Sequence, residues 1–220
     1  MTVTGSATVV LSAVDAGPAS ASGPIIAGQT AFSVGGPYPT ASGVVTEGIA
    51  VDPATGDVWS VSTSSTNDVD VQSPSGAIVA TYPVAASDPV AIVIDPTDHE
   101  AFAVGLANNV VSVIDTQTGT TVGEVDLPEG GPSEAAWDPT TDTVVVNSSS
   151  NFLQLINAST LAVSAISTSG EGGVPEQLAA YGGEIYYSTS TPEVASVSES
   201  GTFGPTLSTS ADSLAVDSAT

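Results

Sequence analysis

The chain has 220 residues, enough for one domain that buries roughly 70–75% of its unfolded surface. It carries 24 Asp and Glu against no Lys or Arg, a formal net charge of -24, which excludes Lys and Arg ion pairs, phosphate neutralisation on nucleic acid and attraction to anionic lipid. Cysteine is absent too, so no disulfide framework or thiolate site exists.

Acidity here does not mean disorder, because only 11% of residues are charged while 41% are hydrophobic. The first segment, MTVTGSATVVLSAV, has none of the basic residues of a secretory n-region. The stretch TVVLSAVDAG (8–17) resembles NVVSVIDTQTG further along the chain. The stretch 17–43, rich in Gly, Pro, Ser and Ala, predicts a long decorated loop or irregular outer strand. No apolar run approaches the roughly 20 residues of a membrane-spanning helix, so membrane insertion is not expected.

From residue 47 onward one unit recurs. EGIAVDPATGDVWSV (47–61), VAIVIDPTDHEAFAV (90–104) and SEAAWDPTTDTVVVN (133–147) each join two apolar runs through Asp-Pro and a polar turn. The anchors Asp52, Asp95 and Asp138 are spaced 43 residues apart, and the next step of 43 lands on Tyr181 in EQLAAYGGEIYYS, where Gly-Gly replaces the Pro turn. The second half of each period repeats as well, in DVDVQSPSGAIVATY (68–82), NVVSVIDTQTGTTVGEV (109–125), NFLQLINASTLAVSAI (151–166) and EVASVSESGTFGPTL (193–207). Apolar alternation broken by Asp, Asn, Ser, Pro and Gly turns makes four short strands per period, with no useful helical periodicity.

Four antiparallel strands repeating every 40–45 residues describe a β-propeller blade. These residues also resemble the YVTN-type propeller repeat, in which an Asp-containing Pro turn precedes an aromatic-Val strand. The corresponding positions are Trp59, Phe102, Val145 and Tyr187. The resemblance implies a fold and carries no catalytic residue.

The expectation is therefore an all-β propeller of four-stranded antiparallel blades, in one domain over 1–220. Blades fall at 47–87, 88–131, 132–173 and 174–211. A fifth takes its inner strand from 212–220, beginning DSLAVD, and its outer strands from 1–46, so that the two ends of the chain close the ring and leave no open sheet edge. Consecutive blades cut from a larger ring of six to eight remain an open alternative.

In such a ring the first strand of each blade lines the central channel, and residues just before each anchor face its mouth. Glu47, Asp88, Glu134, Glu176 and Asp212 occupy these positions. Convergent oxygen ligands suit a hard cation, Ca²⁺ above all, with Glu47, Glu134 and Glu176 as the metal-ligating candidates. The plainer reading is a set of solvated carboxylates at strand entries. A pair of them at about 5 or 6.5–9.5 Å would also suit a glycoside hydrolase. Asp52, Asp95 and Asp138 are expected to accept backbone N–H bonds in their own turns, a structural role whose loss at Asp95 costs on the order of 1 kcal/mol. His99 is the sole histidine and reads as a loop residue, so a two-histidine metal site is excluded. Asn147 and Asn157 match the glycosylation sequon, which chance supplies readily in a chain this rich in Ser and Thr.

Composition and repeats together predict a non-catalytic, extracellular or surface-exposed binding or scaffold module. Its partner would be a protein or carbohydrate ligand, with basic protein surfaces favoured by charge and nucleic acid disfavoured. A carboxylate-pair glycosidase and an engineered lysine-free scaffold stay open as alternatives. Protonating the carboxylates leaves only His99 and the amino terminus positive, so acid brings little self-repulsion.

Overall fold

The structure, a computed structural model, describes residues 46–62, 67–170, 173–191, 193–209 and 211–216. Its strands are β1 (Thr46–Val51), β2 (Val58–Ser62), β3 (Asp68–Gln72), β4 (Ile78–Pro83), β5 (Pro89–Asp95), β6 (Glu100–Gly105), β7 (Val110–Asp115) and β8 (Thr121–Asp126). They continue with β9 (Ala135–Asp138), β10 (Thr143–Ser148), β11 (Phe152–Asn157), β12 (Val163–Ser167), β13 (Pro175–Tyr181), β14 (Glu184–Thr189) and β15 (Val194–Ser198). No helix occurs among the described residues.

Within each sheet consecutive strands pair antiparallel, giving β1-β2-β3-β4, β5-β6-β7-β8, β9-β10-β11-β12 and β13-β14-β15. The last sheet gains a partial fourth member through isolated bridges Val194↔Leu207 and Val197↔Phe203. Consecutive sheets then stack, with β1 against β5, β5 against β9 and β9 against β13. Among the described residues this is a β-propeller-like arrangement of four stacked sheets, blades one to four in chain order.

Stacking follows from strand geometry. Successive side chains point to opposite faces, so a strand apolar at every position is satisfied only between two neighbours. In β6, Phe102 and Val104 pack toward blade three, whereas Ala101 and Ala103 pack toward blade one. In β10, Val144 and Val146 face blade two while Val145 faces blade four. The three cores are thus all between blades, and none lies within a sheet. Gly48 shows how close the first two blades come: a Cβ there would sit 2.9 Å from Ala91 Cα.

The fourth blade corrects one expectation. Val145 was matched with Tyr187, but β13 and β14 join through a two-residue turn, with Tyr181 paired to Glu184, where blade three uses four residues between Asp138 and Thr143. The shortened turn puts Tyr186 at Val145's position. Tyr187 consequently points back into the core shared with blade three, fully buried, and Tyr186 is 38% exposed on the far face. Blade one has a similar open face, where Ile49 is 66% and Val51 56% exposed.

Closure of the ring was assigned to residues 1–46 and 212–220, of which 1–45 and 217–220 lie outside the described residues. Residues 211–216 form no strand, contrary to the inner strand expected from DSLAVD. Leu214 and Val216 instead border a cavity of about 370 Å³ with Trp137, Leu178 and Tyr181, against the inner strands of blades three and four.

Candidate functional site

Each Asp-Pro turn starts with a buried aspartate that organises it. Asp52 Oδ1 accepts from the Ala54 amide at 2.8 Å, Asp95 Oδ1 from Thr97 at 2.7 Å and Asp138 Oδ1 from Thr140 at 2.8 Å. The turns close on residues of positive φ, namely Gly56, His99, Asp142 and, in the fourth blade, Gly183. A left-handed residue is what brings the chain back into the second strand, and Gly or Asn/Asp tolerates it best.

Asp138 reaches further than its own turn. Its Oδ1 also accepts from Gly182 at 3.1 Å and its Oδ2 from Gly183 at 2.7 Å, binding blade three to the first turn of blade four. Burial pushes its carboxyl up, but the bonds from Thr140, Gly183 and Gly182 outweigh burial and leave it below the usual aspartate value.

Asp95 is placed alike and partnered differently. It is 0% exposed, and no donor reaches its Oδ2. Asp98 and Asp142 bring carboxylate oxygens to within 4.8 Å of it and of each other, the only such trio of acidic or imidazole groups among the described residues. Asp142 Oδ2 accepts from Ser159 at 2.5 Å. Desolvation first, then a side-chain interaction with the Asp142 carboxyl and that group's charge, holds the Asp95 carboxyl above its ordinary value against the lowering pull of the Thr97 and Asp98 amides. Glu100, opposite Asp95 across the ladder, has a buried Oε2 with no partner and is raised by burial and by the charges of Asp98, Asp95, Asp142 and Asp115.

The five channel-mouth carboxylates are not brought together in this way. Glu47, Glu134 and Glu176, expected as metal ligands, form no trio of that kind. Glu47 and Glu176 sit five residues before their anchors, Asp88 seven and Glu134 four, so Glu134 lies at the opposite parity and Asp88 one pleat further out, and both Asp88 and Glu134 fall just before β5 and β9 rather than on them. Glu47, Glu176 and Asp212 are exposed, and Asp88 and Glu134 are half-buried. Burial raises the Glu134 carboxyl, an effect the Ala135 amide partly offsets.

The polar hub at that end is a residue sequence reading passed over as a sequon. Asn147 is 1% exposed; its Oδ1 accepts from Ser133 and Glu134 at 2.8 and 2.9 Å, and its Nδ2 donates to Ser133 Oγ, Pro175 O and Glu176 O. It fastens blade three to blade four, so in the folded chain it presents no free amide to a glycan-transferring enzyme. Only its burial on β10 could have announced this.

A second concave feature lies between blades one and two. A cavity of about 350 Å³ is lined by Asp52, Asp57, Val79, Tyr82, His99 and Gln117, with Trp59 behind them. The rings of Trp59 and Tyr82 stack with centroids 5.7 Å apart. His99 is half-buried at the rim of this cleft, more enclosed than a free loop residue would be.

No protein-family profile matches the chain, and no curated protein matches its sequence, so the likeness to YVTN-type repeats rests on its residues alone. Among solved structures 1395 chains match it in shape, too many for shape to select a ligand. One of them, a chain in the crystal structure of a nidogen/laminin complex, superposes with a TM-score of 0.62 at 14% identity, covering 77% of this chain and 67% of that one. At that identity the likeness is one of fold.

Proposed function

We propose that this chain is a non-catalytic binding module, exported or displayed at a surface, that holds a basic segment of a protein partner in the cleft between its first and second blades. The observation that carries the reading is a cleft walled by Asp52, Asp57 and the Tyr82 ring in a protein with no lysine or arginine of its own. A cation entering it meets uncompensated carboxylates and an aromatic face, and both attract it. The volume falls within the range of small-ligand clefts, large enough for one or two extended side chains. Export agrees with the composition, since a chain without Lys or Arg offers trypsin-like proteases no cleavage site. None of the helices that would cross a membrane occurs among the described residues.

Calorimetric titration with an octalysine peptide in about 0.15 M salt, where the screening length is about 8 Å, tests this. Saturable one-site binding that weakens several-fold in Asp57→Asn supports the cleft. Binding that is absent at this salt, or that Asp57→Asn leaves unchanged, refutes it.

A further inference from the structure

The joints between blades differ in one chemical respect. Blade three reaches blade four with Asp138 Oδ2, which accepts the Gly183 amide at 2.7 Å. Blade two presents the equivalent aspartate to the equivalent turn of blade three, but there the left-handed closing residue is Asp142, a second carboxylate, where blade four has Gly183. The first half of the device is intact, since Asp95 Oδ1 accepts from Thr97. The second half is missing, because the buried Oδ2 has no donor. Asp98, from the same turn as Asp95, adds a third carboxylate on the solvent side.

We propose that Asp95, Asp98 and Asp142 hold a divalent cation, calcium by preference, which joins blade two to blade three where a backbone amide joins blade three to blade four. Two oxygens on one calcium ion, each bound at 2.3–2.6 Å, stand at most about 5 Å apart, and all three carboxylates satisfy that limit. Every donor is a hard oxygen, and the exposed Asp98 edge leaves room for the waters that complete six to eight ligands. The orphaned Asp95 oxygen then gains a partner, and three crowded negative charges gain a counter-charge that no side chain of this protein supplies. The site is separate from the basic-segment cleft and does not depend on it.

Protein stripped with a chelator and titrated with CaCl₂, then with MgCl₂, in about 0.15 M salt tests the proposal, because that salt suppresses diffuse counterion binding to the acidic surface. One saturable calcium site is expected, with a rise in Tm of roughly 5–10 °C at a hundredfold excess over Kd. Asp98→Asn alters only an exposed side chain and is expected to weaken calcium by on the order of tenfold or more, at least the loss caused by disturbing the outer partners of a metal. Asp95→Asn is expected to abolish the calcium response while raising Tm in chelator, and Asp88→Asn to leave calcium binding intact. Absence of a saturable calcium site overturns the proposal, as does calcium binding that both Asp95→Asn and Asp98→Asn leave unchanged. A Tm that rises on acidification but not with calcium also overturns it, and assigns the gap to a proton shared by Asp95 and Asp142.

Discussion

Asp138→Ala is expected to cost about 3 kcal/mol, while Asp95→Ala, measured in chelator, costs about 1 kcal/mol or less. The two residues share a repeat position and complete burial, and they differ in what they hold. Asp138 accepts four hydrogen bonds, from the Thr140 amide and hydroxyl, Gly182 and Gly183. Bonds to a charged acceptor contribute about 1.5–3 kcal/mol each, which would sum to roughly 6 kcal/mol or more. Thr140 and Gly182 are exposed, however, so after truncation their amides return to water, and the lasting loss is centred on Gly183 and the inter-blade joint. Asp95 accepts from the Thr97 and Asp98 amides of its own turn, and removing its charge relieves repulsion from Asp142. One Asp-Pro motif therefore carries two different costs.

Urea unfolding followed by the fluorescence of Trp59 and Trp137 measures both variants, and 3 kcal/mol corresponds to a fall in Tm of about 6–12 °C for a chain of this size. The effect at Asp138 has a defined pH dependence. Its folded-state pKa lies below the ordinary 3.8, so its stabilisation is complete above that value and disappears as pH falls through the lower, folded one. The gap between wild type and Asp138→Asn should therefore stay constant from pH 7 to about pH 5 and close only in strong acid. Equal losses for Asp138→Ala and Asp95→Ala in chelator would refute the argument that these aspartates act chiefly between blades.

Gly48→Ala is expected to cost about 1–3 kcal/mol by overpacking, because the new methyl meets backbone at Ala91 that cannot move without shifting blade two; a melt within error of wild type would contradict it. Glu134→Gln is expected to stabilise at pH 7, since burial raises the folded pKa above the ordinary 4.5 and the charged form is disfavoured there. That gain should fade as pH falls through the raised value toward 4.5, and denaturant midpoints across this range give the sign. In chelator, the wild-type Tm should not fall from pH 7 to pH 4, because protonation relieves the raised carboxyls of Asp95, Glu100 and Glu134 and His99 is the only side chain able to become positive; a steep fall would show that lost carboxylate bonds dominate over relieved repulsion.

Periodicity made the blades legible, because a strand sandwiched between neighbours must be apolar at both parities, and Asp-Pro with a left-handed closing residue marks where it turns. The reading faltered wherever parity depended on turn length. Matching Val145 with Tyr187, 42 residues on, allows for only one of the two residues that the Gly182-Gly183 turn omits, and a slip of one residue exchanges a buried tyrosine for an exposed one. At the channel mouth Glu134 differs from Glu47 and Glu176 in its distance from the anchor, so the three share a charge but not one height along their strands. Asp98 and Asp142 were visible as extra acids in DPTDHE and DPTTDT, yet they are 44 positions apart and meet only because blade two stacks on blade three. What a single repeat cannot encode is the chemistry between repeats. At two successive joints this chain keeps the same aspartate and changes what faces it, from a carboxylate at Asp142 to an amide at Gly183. An acceptor facing a donor is complete, whereas an acceptor facing an acceptor persists only with a cation or a proton between them, so the odd joint is where a ligand is to be sought.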